Sequence, residues 1–204
     1  MAGERSMKDN NMARHPMQVV SLIGMPGSGK STVGVLLAKR LGLAFVDTDL
    51  LIQEQEQATL AEIIAAKGHE ALRVIEEQVL LDMNIGPSVI STGGSVVYSE
   101  AIMNRLSNTS SVVYLRSQLA TVEYRISLAP DRGIASPGSH TLEDVYNERV
   151  PLYERYAAIT VDVDSEPPET ISGHIATALD SKKVWTDASP HLKTAAGKRS
   201  NLDK

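Results

Sequence analysis

Short runs of apolar residues alternate along the chain with segments in which apolar residues recur at every third or fourth position. A buried strand of a parallel sheet produces the first pattern, and the core-facing side of a helix produces the second. The apolar runs predict strands at about residues 17–23, 43–46, 87–91, 111–115 and 159–163. The first helical pattern ends near residue 41. Further helical patterns cover about 50–66, 69–83, 100–106, 119–128, 142–153 and a last stretch after residue 168. This alternation predicts an α/β domain, in which helices cover both faces of a parallel sheet and the crossovers are right-handed.

The two ends of the chain lack this periodicity. We interpret the polar residues 1–16 as a disordered leader before a single domain of residues 17–184. Residues 185–204 are predicted to form a flexible tail. Inside the domain, residues 129–140 are rich in Pro, Gly and Ser, and long loops of α/β enzymes often close over a bound substrate. We therefore expect a mobile lid there.

A phosphate-binding loop is predicted between the first strand and the first helix. The segment Gly24-Met25-Pro26-Gly27-Ser28-Gly29-Lys30-Ser31-Thr32 follows the pattern Gly, four residues, Gly-Lys-Ser. Glycines let successive backbone N–H groups turn towards phosphate oxygens, and the helix that follows presents its positive dipole end to the same anion. Lys30 is expected to reach the β- and γ-phosphates, and the Ser31 hydroxyl is expected to hold Mg²⁺. A glycine-rich turn with an ordinary surface lysine is the alternative, and the flanking strand and helix argue against it.

Two acidic residues follow the second predicted strand. Asp47 and Asp49 stand where ligands bind in open α/β sheets, at the carboxyl end of a strand. Either could instead cap the next helix. Gly93 and Gly94 follow the third strand, where paired glycines allow close backbone approach to a ligand or simply form a tight turn.

Three arginines are candidates for binding an anion. Arg149 shares a helical stripe with the apolar residues of the 142–153 segment, so a buried cation is expected to meet either a nearby Glu or an anionic substrate. Arg73 lies beside an apolar stripe, and spacing alone favours an ion pair with a neighbouring Glu, namely Glu70, Glu76 or Glu77. Arg132 lies in the lid segment, either as a solvated side chain or as a cation that meets the transferring phosphoryl group. Pro151 should kink or split the helix that carries Arg149.

Composition narrows the class of protein. A formal net charge of −5 gives no basic surface for nucleic acid, and the chain has no cysteine for disulfides or thiolate metal sites. No apolar run approaches the length of a membrane span, and no signal segment precedes the first strand. His69, His140 and His174 have no metal-ligand spacing and are interpreted as non-catalytic. We therefore expect a cytoplasmic protein with small-molecule partners, acting as a monomer, without nucleic acid or membrane partners.

Taken together, the motifs occur in an order that resembles the shikimate kinases, a family of the P-loop nucleoside-monophosphate-kinase-like group. The resemblance covers about residues 18–179. It rests on the phosphate loop, Phe45-Val46-Asp47-Thr48-Asp49, Gly68-His69-Glu70-Ala71-Leu72-Arg73, Ile90-Ser91-Thr92-Gly93-Gly94 and Glu148-Arg149-Val150-Pro151-Leu152-Tyr153.

The resemblance implies a fold and an activity. The fold would be a three-layer α/β/α P-loop kinase with a five-stranded parallel sheet of order 2-3-1-4-5 and a mobile lid. The activity would be ATP-dependent phosphorylation of the 3-hydroxyl of shikimate, with Mg²⁺, in aromatic amino acid biosynthesis.

The resemblance also implies a role for each motif residue. Lys30, Asp49 and Arg132 would be catalytic, with Asp49 at the acceptor hydroxyl and Arg132 as the lid cation. Asp47 would orient the metal through water beside Ser31. Arg73 and Arg149 would clamp the substrate carboxylate. Nucleotide contacts would come from Gly27, Ser28, Gly29, Lys30, Ser31, Thr32, Arg125, Arg132 and Pro168, and substrate contacts from Asp49, Arg73, Gly93, Gly94 and Arg149.

The chain departs from the family pattern at three places. Ser95 replaces a third glycine, Gly133 follows Arg132 where the family has proline, and Glu166 stands where an arginine is often found near adenine. Three alternatives therefore stay open. They are a kinase for another small hydroxy acid such as gluconate, a nucleoside monophosphate kinase, and a nucleotide-binding module without catalysis.

Overall fold

One parallel sheet forms the centre of the molecule. The computed structural model describes residues 18–128 and 140–187, so the predicted leader, most of the lid with Arg132, and most of the tail lie outside the described residues. The strands are β1 (Val19–Ile23), β2 (Ala44–Asp47), β3 (Ser88–Ser91), β4 (Ser111–Arg116) and β5 (Ile159–Asp162). All neighbouring strands are parallel, in the order β2-β3-β1-β4-β5. The predicted α/β class and strand order are confirmed.

Helices cover both faces of this sheet, which gives three layers. They are α1 (Lys30–Leu41), α2 (Thr48–Glu56), α3 (Leu60–Asp82), α4 (Glu100–Thr109), α5 (Leu119–Ser127), α6 (Leu142–Tyr156) and α7 (Pro168–Asp187), with a short 3-10 helix at Val96–Tyr98. Side chains of α1 and α7 pack on one face of the sheet, against Val113 and Leu115 of β4. Side chains of α3 to α6 pack on the other face, against Val112 and Tyr114. The alternation along β4 is the period of two that a strand buried on both faces requires.

The predicted helix at 50–66 is two helices in the structure. The first ends at Glu56, Gln57 adopts a left-handed conformation (φ 51°), and the second begins after Thr59. The Thr59 side chain accepts from the Glu62 backbone N–H, while the Glu62 carboxylate accepts from that of Thr59. This reciprocal capping box starts a new helix although the apolar spacing continues across the break. The break predicted at Gly68 is present, as a non-helical residue (φ 85°) inside α3.

Pro151 does not split its helix. The segment from Leu142 to Tyr156 is one α-helix with Pro151 in its interior, so the split is wrong, whereas the kink that was predicted as its alternative stays a prediction. Pro151 is exposed, which lets solvent compensate for the hydrogen bond that proline cannot make. The unbroken helix brings Arg149 and Tyr153 to the buried side of α6 together.

Candidate active site

The loop between β1 and α1 has the backbone of a phosphate cradle. Gly24, Gly27 and Gly29 have φ values of 146°, 80° and 90°, which side chains with a Cβ rarely adopt. A Cβ on Gly24 would also lie 2.7 Å from the carbonyl oxygen of Leu115. Gly29 caps the amino end of α1 in the left-handed conformation, so the positive end of the helix dipole faces into the loop.

Lys30 is held within this loop. Its Nζ donates to the carbonyl oxygens of Gly24 at 2.8 Å and Met25 at 2.9 Å, and the residue is only 8% exposed. These contacts place a positive charge beside the N–H groups of the loop. The arrangement is suited to an anion with several oxygens, such as a nucleotide phosphate.

Ser31, Asp47 and Ser91 meet where β2 and β3 end. The Ser31 hydroxyl donates to Oδ2 of Asp47 at 2.7 Å and lies 3.3 Å from the Ser91 hydroxyl oxygen. Oδ1 of Asp47 accepts from the Asp49 N–H at 3.0 Å, so Asp47 also caps α2. The helix-cap interpretation of Asp47 is thus confirmed, while its other oxygen pairs with the Ser31 hydroxyl, and a role of Asp47 at a bound ligand stays a prediction.

This oxygen cluster fits a hard cation that takes most of its ligands from phosphate and water. Among residues 18–128 and 140–187, no group of three or more His, Cys, Asp or Glu side chains is placed to hold a metal ion. Mg²⁺ commonly binds through one or two protein oxygens together with substrate phosphates, whereas a closed structural site needs more protein ligands. Ser31 and Asp47 have the chemistry for the former arrangement.

A cavity of about 800 Å³ opens beside the loop, at the carboxyl ends of β2 and β3. Its wall brings together residues from several separate segments of the chain. Those that matter for chemistry are Lys30, Asp47, Asp49, Glu76, Gly93, Gly94 and Arg149. Several carboxyl groups and the cations of Lys30 and Arg149 therefore line one cavity.

Glu76 is the functional candidate that the sequence interpretation missed. It is 3% exposed, the Ser95 hydroxyl donates to its Oε2, and its Oε1 has no hydrogen-bond partner within the described residues. Burial raises the pKa of the Glu76 carboxyl to about 7. The negative charge of Asp49 adds to this rise in pKa, whereas the Ser95 hydrogen bond and the charges of Arg149 and Lys30 oppose it.

A signal for Glu76 was present in the sequence. It lies four residues after Leu72 and three before Val79, and both of those residues are buried on the same side of α3. Arg149 was recognised by the same kind of position on α6. Glu76 was considered only as an ion-pair partner for Arg73.

Arg73 and Arg149 lie on one tyrosine. The guanidinium carbons are 4.2 Å and 5.2 Å from the centre of the Tyr98 ring, and Nε of Arg149 donates to the Tyr98 hydroxyl at 3.2 Å. Arg149 is 0% exposed, so its predicted burial is confirmed. Within the described residues, Arg149 lines the large cavity and Arg73 stands outside its wall. Tyr98 belongs to the 3-10 helix, an element that the sequence analysis did not predict.

The glycine pair allows close packing at the cavity floor. A Cβ on Gly93 would overlap Oε1 of Glu76 and lie 3.2 Å from Oδ1 of Asp49. A Cβ on Gly94 would lie 2.8 Å from Cδ of Pro26 and 3.0 Å from Nη1 of Arg149. The Gly93 N–H already donates to the Thr48 hydroxyl at 3.2 Å, and the Gly94 carbonyl accepts from the Tyr153 hydroxyl at 2.6 Å. These glycines therefore allow close packing of protein side chains, and their close approach to a ligand stays a prediction.

A second cavity, of about 330 Å³, lies on the other side of the loop. It is lined by Gly27, Arg125, Glu166 and Pro168, among others. Arg125 donates to the carbonyl oxygens of Gly27 at 3.2 Å and Val163 at 3.1 Å, which fixes its guanidinium against the loop. Ser28, Gly29 and Thr32 also line this cavity. Six of the predicted nucleotide-contact residues therefore line this cavity, whereas Lys30 and Ser31 line the larger one.

The loop, the two flanking cavities and the three-layer architecture define a P-loop protein with the kinase fold. A family model described as "Shikimate kinase" matches residues 26–180. The chain belongs to the shikimate kinase family.

Individual relatives agree with this assignment. A shikimate kinase from Paracidovorax citrulli (strain AAC00-1) is 35% identical over 173 residues, which span 82% of this chain and 94% of the relative. A solved structure of shikimate kinase from Acinetobacter baumannii in complex with shikimate matches with a TM-score of 0.77 and 27% identity, covering 82% of this chain and 96% of that one. A gluconokinase from Sinorhizobium meliloti 1021 matches with a TM-score of 0.53 over 87% of this chain and 100% of its own, but at 18% identity it shares the fold alone.

Within residues 18–128 and 140–187, no helix is both long enough and apolar enough to cross a bilayer.

Proposed function

We propose that this protein transfers the γ-phosphoryl group of ATP to the 3-hydroxyl of shikimate, giving shikimate 3-phosphate and ADP in the chorismate pathway of aromatic amino acid biosynthesis. Membership of the shikimate kinase family supports the proposal. The observation that carries it is the meeting of Arg149, Asp49 and Lys30 at one cavity. These three side chains are suited to the three parts of such a reaction, namely a carboxylate, a hydroxyl and a phosphate.

ATP would bind across the loop, with its phosphates at Lys30 and the N–H groups from Gly27 to Thr32. The base would lie in the smaller cavity, between Arg125 and Pro168. Arg125 is held by two carbonyl acceptors, one on the loop at Gly27 and one at Val163, and its planar guanidinium is suited to stacking on an aromatic base. Arg132, from the lid segment, would meet the transferring phosphoryl group.

Mg²⁺ would be bound through Ser31 and, by way of water, through Asp47. When bound, the ion would neutralise charge on the β- and γ-phosphates. The hydrogen bond from Ser31 to Asp47 holds these two side chains together, and the protein would contribute this fixed pair of oxygens to the metal site.

Shikimate would occupy the larger cavity. Asp49 would accept a hydrogen bond from the acceptor hydroxyl and orient it in line with the γ-phosphorus. Arg149 and Arg73 would bind the substrate carboxylate through planar, charge-assisted hydrogen bonds. Because Arg149 is 0% exposed, a carboxylate can reach it only after a local movement of its side chain or of Gly94. Gly93 and Gly94 would form the floor.

The gluconate alternative receives no support beyond the shared fold, since gluconokinase resembles this chain at 18% identity. A binding module without catalysis would not need Asp49 beside Lys30. Our proposal extends to a cytoplasmic monomer that acts without nucleic acid or membrane partners.

The test is a coupled ADP-release assay with ATP and Mg²⁺ over three acceptors, namely shikimate, gluconate and AMP. We expect turnover with shikimate that exceeds the other two by a large factor. Formation of shikimate 3-phosphate should be verified by phosphorus NMR, which also separates transfer from ATP hydrolysis. Equal ADP release with and without any acceptor would contradict the proposal, and a preference for gluconate would replace the substrate.

A further inference from the structure

Ser95 contributes a buried hydroxyl to the floor of the larger cavity. It is 7% exposed and follows directly on the Gly93–Gly94 pair. Its backbone is right-handed helical (φ −85°, ψ −9°), so the position does not require a glycine. Nothing in the local backbone therefore explains a serine here, and the explanation must lie in its side chain.

The Ser95 hydroxyl donates to one particular oxygen of Glu76. That oxygen is Oε2. The other, Oε1, lies against Gly93, because a Cβ built on Gly93 would overlap it and would also contact Oδ1 of Asp49. Oε1 of Glu76 and Oδ1 of Asp49 therefore flank the same glycine from two different helices, α3 and α2. Both residues line the cavity.

Glu76 would be poorly oriented without this contact. The terminal torsion of a glutamate side chain is broad, so a carboxyl group with no partner samples many orientations. Oε1 has no hydrogen-bond partner within the described residues, and Glu76 is 3% exposed, so the Ser95 hydrogen bond is the contact that sets the plane of the carboxyl group. A buried acceptor of this kind is expected to have a partner, and because Glu76 lines the cavity, a substrate hydroxyl can supply that partner after a small local movement.

We propose that Ser95 is a positioning residue of the acceptor site, which holds Glu76 with Oε1 turned towards Gly93 and Asp49 to receive a hydroxyl of the acceptor substrate. This inference rests on the proposed function and deepens it. The substrate has a ring with several hydroxyl groups, of which only one is phosphorylated. Asp49 is assigned to that hydroxyl, and Glu76 receives another. Pre-orientation by Ser95 reduces the conformational entropy that substrate binding would otherwise remove from the Glu76 side chain.

A merely structural role for Ser95 makes different predictions. If the hydroxyl only completed the packing, its loss would alter stability and would affect the kinetics of both substrates alike. If it acts through Glu76, its loss should raise KM for shikimate while leaving KM for ATP and kcat close to their original values. The effect should also vanish once Glu76 can no longer act as the oriented acceptor.

The experiment is a double-mutant cycle with Ser95→Ala and Glu76→Gln, measured as steady-state kinetics for shikimate and for ATP. We expect Ser95→Ala to raise KM for shikimate about tenfold, in line with the loss of a hydrogen bond to a charged group. In the Glu76→Gln background the same substitution should change KM by less than about twofold. Ser95→Gly should behave like Ser95→Ala, and Ser95→Thr, which keeps the donor, should restore the lower KM.

Ser88→Ala is the matched control. Ser88 is also buried, lies at the other end of β3 and donates to the carbonyl oxygen of Gly86. Ser88→Ala should leave KM for shikimate and KM for ATP unchanged.

If the unmodified protein turns over shikimate, two outcomes would overturn the positioning role of Ser95. One is an unchanged KM for shikimate in both Ser95→Ala and Ser95→Gly. The other is that Ser95→Ala raises KM for shikimate by the same factor in the unmodified protein and in the Glu76→Gln variant. Absence of shikimate turnover in the unmodified protein would instead remove the proposed function, and this inference with it.

Discussion

Oγ of Ser31 donates a 2.7 Å hydrogen bond to Oδ2 of Asp47, which joins the first turn of α1 to the last residue of β2. The phosphate loop and the end of β2 are therefore linked directly by side chains. Oδ1 of the same Asp47 accepts from the Asp49 N–H at the start of α2. One aspartate thus connects the groups that we propose for metal binding with the helix that carries the proposed acceptor-binding Asp49.

We predict that Asp47→Asn raises the Mg²⁺ concentration needed for half-maximal activity. Asparagine keeps an oxygen that can cap α2, so the fold should survive, but the negative charge near Ser31 is lost. Loss of such a supporting group typically weakens metal binding about 10- to 100-fold. The measurement is ADP release against Mg²⁺ at saturating substrates. Asp82→Asn, at an exposed position at the end of α3, should leave the curve in place.

Lys30→Ala should abolish most of the turnover. The ammonium group lies within the phosphate loop, and removing a charge-stabilising donor of this kind costs about 3 kcal/mol or more, or at least about 10²-fold in kcat. Lys39→Ala changes an exposed lysine of the same helix and serves as the control. Turnover close to that of the unmodified protein would remove Lys30 from the mechanism.

Arg149→Ala should weaken binding of the acid substrate more than that of ATP. We expect KM for shikimate to rise about tenfold or more, because a charge-assisted contact to its carboxylate is lost. Arg155→Ala is the matched control, since Arg155 lies on the same helix but is exposed. Circular dichroism should show that both variants are folded. A KM for shikimate equal to that of the control would contradict the carboxylate clamp.

Gly93→Ala should damage the site through a single methyl group. Its Cβ would overlap Oε1 of Glu76 and crowd Oδ1 of Asp49, so one of these carboxyl groups must move. Overpacking in a tight site costs about 1–3 kcal/mol, and here the displaced atoms belong to the proposed acceptor site. We expect loss of kcat/KM for shikimate. Gly86→Ala, where a Cβ would meet nothing within 4 Å, should be close to neutral in both activity and thermal unfolding.

The Glu76 carboxyl should make stability depend on pH. Burial raises its pKa from an ordinary value of 4.5 to about 7, so the native protein keeps a proton that the unfolded chain releases between these values. The free energy of unfolding should therefore fall as pH rises from about 4.5 to 7. Asp49, Arg149 and Lys30 are the charged groups that influence the carboxyl group.

Glu76→Gln should remove this contribution. Urea unfolding at pH 5 and pH 8 should show a smaller loss of stability in the variant, by up to about 3 kcal/mol. A loss of equal size in both proteins would show that Glu76 does not titrate as its burial implies.

The sheet and the phosphate loop could be predicted because their signals are local. Five apolar runs predicted the strands, and the pattern from Gly24 to Ser31, together with the strand and helix that flank it, predicted the loop. The break between α2 and α3 was missed because apolar residues keep helical spacing through it. The capping box of Thr59 and Glu62 nevertheless starts a new helix there. At Pro151 the sequence analysis predicted a kink or a split, but the structure has one helix, because an exposed proline can be accommodated within a helix.

Side-chain partnerships across the site were beyond the sequence. Arg73 and Arg149 are 76 positions apart in the chain, and only the 3-10 helix that carries Tyr98 shows that they share a ring. Glu76 could have been found, since it interrupts an apolar stripe as Arg149 does. Its link to Ser95 could not, because the position of a turn after β3 relative to α3 depends on the packing of the whole face.

Gly27, Gly29 and Thr32 line both cavities, so the two chambers open on opposite sides of the same short loop. A single inhibitor could therefore join a cyclic acid to adenosine through a bridge that replaces the phosphates. Binding of such a bisubstrate compound would cost translational entropy once, whereas two separate ligands lose it twice. This holds provided that the linker matches the span across the loop.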